Sequence, residues 1–338
     1  MPTSTRPWSR REALAALGAV AAWGRMPASD AADAGAGRNI VDVHAHFQPP
    51  AIRALNLPGP MNAWDLQKQI TDMDAAGVTR ALLSVTTPGV PATGEAGRRL
   101  ARESNEYAAR LAADYGRRFG FFLCLPMDDP DAALKELAYG LDVLKAQGAG
   151  LFTSYTGRWL GDAYFDPLFA ELERRKAVVY VHPTSAACCT RLIPEVADTL
   201  IEYGTDTTRA IASYVYRGAA RRYPSVRMIW SHSAGTMPYL IERFDGADHG
   251  EAARAQAPDG FRASIARFWY DIAQASNPVA TRALRSVVPV ERIVFGTDYP
   301  FRTSLEHVRG LEDGKVFDRG ELTGIYRAHV GKGLPELV

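Results

Sequence analysis

The sequence predicts a single (β/α)8 barrel. Three observations carry that expectation. Eight short apolar runs recur after residue 38, longer amphipathic stretches separate them, and several runs end in a histidine or an aspartate. Many of the runs are unbroken rather than alternating, as strands covered on both faces require. In a parallel barrel, side chains at the strand C-termini converge on one face.

In chain order the expected strands are Ile40–His46, Arg80–Val85, Gly120–Leu125, Gly150–Ser154, Val178–His182, Arg227–His232, Trp269–Ile272 and Arg292–Thr297. Helical patterns lie between them. Leu66–Ala76 closes on Gly77 and Asp131–Gln147 on Gly148, each placed as a helix-ending glycine. Asp166–Lys176, Thr207–Tyr223 and Pro278–Val288 fill later gaps. A doubly wound open sheet is the main competitor, but no G-x-G-x-x-G turn follows the first strand. That strand, "IVDVHAHFQPP", runs into histidine and proline instead. No linker marks a second folded domain, so residues 38–338 read as one barrel.

Residues 1–36 read differently. "SRREALAALGAVAAW" sets Arg10 and Arg11 before an Ala/Leu-rich run too short to span a bilayer, which needs about 20 residues. Two A-x-A sites follow, at Ala32–Ala34 and Ala34–Ala36. The segment resembles a twin-arginine export signal, with Ala13 where that pattern prefers phenylalanine. Export to the periplasm is the expectation; an Ala-rich tail on a cytoplasmic protein is the alternative.

Net charge is +1 and no basic stripe is interleaved with aromatics, so nothing points to nucleic acid. The three cysteines imply no disulfide framework, because Cys188 and Cys189 are adjacent and Cys124 sits in an apolar run. Cys124 is expected to be a small buried apolar residue.

The chemistry lies at the strand ends. The first strand supplies His44 and His46, which share one face at spacing i, i+2. The fifth, "AVVYVHPTS", ends in His182; the sixth, "RMIWSHSAGT", in His232; the eighth, "RIVFGTDYP", in Asp298. A lone histidine after an apolar run is usually structural. Four of the seven histidines and an aspartate at the same end of their strands are a constellation. Imidazoles with a carboxylate suit Zn2+, Mn2+ or Fe2+ with a position left open, and no cysteine stands among them to suggest a thiolate site.

The H-x-H, HP, SH and GTDYP motifs together resemble the amidohydrolase superfamily, and more narrowly its branch of aminocarboxymuconate-semialdehyde decarboxylase and related aromatic decarboxylases. The resemblance covers nearly all of the chain after residue 38. The segments around "GLFTSYTGRWLGDAYFDPLF" and "SYVYRGAARRYPSVRMIWSHSAGTMPYL" are similar to 6-methylsalicylate decarboxylases. The resemblance implies one divalent ion, Zn2+ with Mn2+ as the alternative, held by His44, His46, His182 and Asp298. It implies an acid/base role for His232, and because direct loss of CO2 would leave an aryl carbanion, Asp298, a carboxylic acid close to the metal, is the candidate proton donor to the ring. Binuclear relatives carry a lysine at the end of strand four; here that strand reads "GLFTSY". The implied activity is non-oxidative decarboxylation of an aromatic acid, such as a 2-hydroxybenzoate. A mononuclear metal hydrolase of a lactone, ester or amide uses the same ligands and is the alternative. Homodimers are frequent in the family.

Tyr155 and Arg158, after strand four, are candidate substrate contacts; an exposed loop pair is the competing reading. Asp271 reads either as the partner of a histidine or as a backbone cap. Trp159 reads as core, Arg243 as a solvated helix residue, and His249, His307 and His329 as surface residues.

Overall fold

A computed structural model describes residues 37–338; the expected export signal lies outside the described residues. Eight parallel strands form the barrel in chain order: β1 (Ile40–His46), β2 (Val78–Ser84), β3 (Phe119–Leu123), β4 (Gly148–Phe152), β5 (Val178–His182), β6 (Arg227–Trp230), β7 (Trp269–Asp271) and β8 (Ile293–Val294). Closure is made by the chain just after β8. Val43 N donates to Phe295 O at 3.0 Å, His46 N to Tyr299 O at 2.8 Å and Asp298 N to His44 O at 2.8 Å. The last of these bonds fixes one expected metal ligand directly on another.

Helices cover the outside: α1 (Leu66–Ala76), α2 (Gly94–Asp114), α3 (Pro130–Asp142), α4 (Asp166–Arg175), α5 (Asp198–Tyr216), α6 (Pro278–Arg285) and α7 (Ser304–Gly314), with shorter turns between them. α1 ends as expected, Gly77 taking the left-handed conformation at φ 80°, and at its start Asp65 accepts from Lys68 N. The α3 reading needs correction. The helix stops at Asp142, and Gly148 opens β4 rather than closing the helix. A Cβ there would stand 2.3 Å from Val178 O, so close strand contact is what demands glycine. α5 begins well before the expected Thr207, because Asp198 opens it.

The two faces of the strands build two cores. Ala81, Leu83, Phe121, Val179, Val181 and Trp230 pack outward against the helices. Val41, Val43, Leu82, Phe122, Val178 and Tyr180 fill the barrel interior. β1 departs from simple alternation, its register against β2 breaking between Asp42 and Ala45. This bulge lets Val41 and Val43 join the interior core while His44 and His46 turn into the site above it. Buried Asp42 latches the bulge, accepting from His44 N at 2.9 Å and from the Thr297 hydroxyl at 2.6 Å. Among the described residues no helix is long and apolar enough to cross a membrane.

Candidate metal centre

His44, His46, His182 and Asp298 meet at the C-terminal mouth of the barrel, each offering a ligand atom within 4.8 Å of the others. All four are buried. Asp298 Oδ1 stands 3.1 Å from His44 Nε2, 2.9 Å from His46 Nε2 and 3.9 Å from His182 Nε2.

The opposite edge of each ring explains why these nitrogens face inward. His44 Nδ1 donates to Asp271 Oδ2 at 2.8 Å, His46 Nδ1 to Ser84 O at 3.2 Å and His182 Nδ1 to Pro183 O at 2.8 Å. With Nδ1 holding the proton in a neutral ring, Nε2 presents a lone pair. With all three rings neutral, three lone pairs and a carboxylate oxygen point at one another and repel unless a cation, either a proton on His44 or a metal ion, sits among them. The residues therefore fit a divalent ion, with nitrogen and oxygen donors and no thiolate.

The proton equilibria report the same demand for positive charge. Burial disfavours charge on His44, yet the Asp271 and Asp298 carboxylates raise its pKa to about 10. Burial lowers His182 to about 4 and also lowers His46. Asp298 is held well below the usual carboxylate range: burial opposes this, and the His44, His182 and His46 imidazoles outweigh it. A cation entering this cluster must displace the His44 proton. We expect loading at about pH 8 to release roughly one proton per ion, and apparent affinity to rise with pH over the range where His44 is protonated. Calorimetric titration in buffers of different ionisation heat reads that number, and no release contradicts it.

Asp271 takes both of its expected roles. Oδ2 holds His44, while Oδ1 accepts from His232 N at 2.9 Å and Ala273 N at 3.0 Å. Asp271→Asn should weaken metal binding roughly 10- to 100-fold, because it removes the charge that orients His44. Competition with a chromogenic chelator measures this; unchanged affinity rules the role out.

His232 lies beside the cluster, its ring centroid 4.9 Å from that of His44 and 5.6 Å from that of His182. The expected strand through His232 ends two residues earlier, at Trp230. His232, Ser233 and Ala234 then take φ of 52°, 54° and 65°, left-handed values that non-glycine residues avoid. This strained turn aims the ring. Nδ1 donates to Ala273 O at 3.0 Å, and Nε2 is buried without a hydrogen-bond partner. Burial lowers its pKa to about 4, so it is a neutral base with an available lone pair.

Next to His182 lies a cavity of about 160 Å³ walled by Leu123, Leu125, Phe152, Tyr155 and Tyr180, a mostly apolar space sized for a small ring. Tyr155 lies in its wall, but its hydroxyl is engaged at 2.8 Å by Phe152 N, and burial raises its pKa. Arg158 does not line this cavity. It is exposed, with its guanidinium 4.9 Å over the Tyr164 ring. The two-residue strands Ser154–Tyr155 and Arg158–Trp159 form a hairpin that turns Arg158 outward. Buried Asp206 anchors the hairpin, accepting from the Thr153 hydroxyl, from Ser154 Oγ at 3.1 Å and from Trp159 Nε1 at 2.6 Å.

Other residues correct the sequence reading. His307 is buried, not on the surface, because Ser304, His307, Val308 and Leu311 form the inner face of α7. His329 is half-buried and donates to Ile293 O at 2.9 Å. Arg243 and His249 are exposed as expected. Cys188 and Cys189 are joined as a disulfide, where none was expected, at the end of the short 3-10 turn Ala187–Cys189. Cys124 is buried, its thiol pushed up to about 12 by burial. Gln274, a neighbour of Asp298, carried no sequence signal.

The barrel, its strand-end His/Asp cluster and the cavity beside it define a metal-dependent enzyme. The chain belongs to the amidohydrolase family, which it matches over residues 41–325. It is 34% identical over 301 residues to decarboxylase yanB of Aspergillus niger, covering 82% of each chain. It is 34% identical over 286 residues to the 6-methylsalicylic acid decarboxylase of Penicillium expansum, covering 77% of this chain and 84% of that protein. The fold is shared with a 5-carboxyvanillate decarboxylase of Novosphingobium aromaticivorans crystallised with manganese. That comparison gives a TM-score of 0.79 at 20% identity, over 88% of this chain and 96% of that one.

Proposed function

We propose that this protein is a metal-dependent, non-oxidative decarboxylase of a 2-hydroxybenzoate such as 6-methylsalicylate. The observation that carries the reading is a buried cluster of three histidines and an aspartate beside a ring-sized apolar cavity, with no lysine at the end of β4 for a second ion. Relatives named as 6-methylsalicylic acid decarboxylases support the substrate class. The proposed ion is Zn2+, with Mn2+ as the alternative. When bound, it would orient the phenolic and carboxylate oxygens and stabilise negative charge on oxygen.

The protein's own groups handle the proton. Direct loss of CO2 would leave an aryl carbanion, so the ring carbon bearing the carboxylate must be protonated first. Asp298, ionised at rest, takes the phenolic proton and passes it to that carbon. The carbon–carboxylate bond then breaks, its electron pair returns to the ring, and CO2 and a phenolate remain. His232 Nε2, free and unprotonated, carries a proton from solvent to the phenolate oxygen. The cavity wall holds the ring face against aromatic side chains.

Incubating the metal-loaded chain with 2-hydroxybenzoates and, separately, with lactones and aryl esters tests the reading. Phenol formation from the first panel supports it; turnover of the second panel alone replaces it with hydrolysis. Export through the twin-arginine route and assembly as a homodimer belong to the same proposal. A reporter fused behind residues 1–36, with and without Arg10→Lys and Arg11→Lys, reads the first, and sedimentation reads the second.

A further inference from the structure

The two oxygens of Asp298 face different worlds. Oδ1 points at the imidazole nitrogens, while Oδ2 accepts from the Gln274 side-chain amide. An ionised carboxylate only accepts hydrogen bonds, so the amide must present its NH2. Gln274 follows β7 and sits at φ 52°, a left-handed conformation unfavourable for a residue with a Cβ. Something must hold it there.

That restraint comes from α7. Gln274 N donates to His307 Nε2 at 2.8 Å, and His307 Nδ1 donates to Thr303 O at 3.0 Å. The two bonds fix His307 as one neutral tautomer, donor on one nitrogen and acceptor on the other. Thr303 is itself the N-cap of α7, closed into a capping box with Glu306. A continuous line of hydrogen bonds thus runs from the start of α7, through His307 and the Gln274 backbone, to the far oxygen of Asp298.

We propose that Gln274, locked by His307, is a positioning residue that restricts Asp298 to one-oxygen ligation and keeps Oδ2 aimed for proton transfer. The inference rests on reading Asp298 as a ligand and proton carrier. Engaging Oδ2 denies the ion a second oxygen from the same carboxylate. It also stops rotation of the carboxylate plane, which would otherwise swing either oxygen toward the substrate.

Gln274→Met keeps length and loses the donor, so it isolates this effect. The expected result is one Co2+ per chain as in the parent, with an altered visible absorption spectrum of reduced intensity as the carboxylate becomes bidentate and the coordination number rises. Turnover should fall about tenfold with KM within about threefold, the split expected of a group that positions rather than binds. His307→Asn, which leaves the amide but removes its lock, should move both readouts the same way, and it serves as the test if Gln274→Met does not fold. A parental spectrum and parental turnover in a folded, loaded variant overturn the proposal. If the parent binds Co2+ without decarboxylating, the spectrum alone decides the positioning role. If the parent binds no metal, the reading of the centre fails and this inference fails with it.

Discussion

Asp298→Asn is expected to lower decarboxylation by roughly 10²- to 10⁴-fold, the contribution of a positioned proton donor, while leaving a measurable fraction of the ion bound. Asparagine keeps the shape of the side chain and one carbonyl oxygen as a neutral ligand. It cannot take up the phenolic proton and pass it on. It also removes one of the two carboxylates that raise His44 toward 10, so the metal-free variant should titrate at lower pH. The backbone should not change, because Asp298 N is tied to His44 O by a bond the substitution does not touch. Metal content by elemental analysis, set beside the rate of phenol release, separates ligation from chemistry. Near-normal turnover in the loaded variant removes the proton-donor role.

His182→Ala should cost still more through a different route, because it takes away a ligand rather than a proton. Loss of partner groups outside the ligand set already weakens metal sites by roughly 10- to 100-fold, and a ligand itself should exceed that. The fold should survive. The His182 ring donates to the carbonyl of its neighbour Pro183 and packs against Phe152 and Tyr203, while its backbone bond from Thr153 N does not depend on the side chain. Deleting the ring leaves a small space open to the existing cavity, while Pro183 O keeps the Thr87 hydroxyl at 3.2 Å, so the loss is one hydrogen bond, a cost of about 1 kcal/mol. The variant should therefore bind little metal and release no phenol, while melting cooperatively a few degrees lower. Retained activity with full metal would place the ion elsewhere.

Much of this was legible in the sequence because barrel strands are buried on both faces and write themselves as apolar runs. All eight were found, and β1 and β5 to the residue. The ligands were legible for a related reason: charged or imidazole side chains at the ends of such runs have few structural explanations. The helix α2 was missed. Its inner face of Gly97, Leu100, Ala101, Ser104, Ala108 and Leu111 is periodic, but most of these residues are small and charges crowd the rest of the helix, so the stretch reads as polar overall. β8 is paired over only Ile293–Val294, since the following residues close the barrel through separate bonds to β1. His307 was misplaced because α7 itself was not recognised. Asp42, Asp206 and Gln274 were silent for a deeper reason. Each acts through partners distant in the chain, and a lone polar residue carries no local pattern announcing a tertiary hydrogen bond.

The most direct test of the central claim follows one carbon atom. The full-length chain, stripped and reloaded with Zn2+ or Mn2+, would be given 6-methylsalicylate labelled with carbon-13 in its carboxylate. The account predicts that the label leaves as CO2, one for each phenol formed, and that release stops when metal is removed and resumes when it is restored. If the label stays in the carboxylate of a folded, metal-loaded protein that instead hydrolyses esters or lactones, the centre is a hydrolase and the account is wrong.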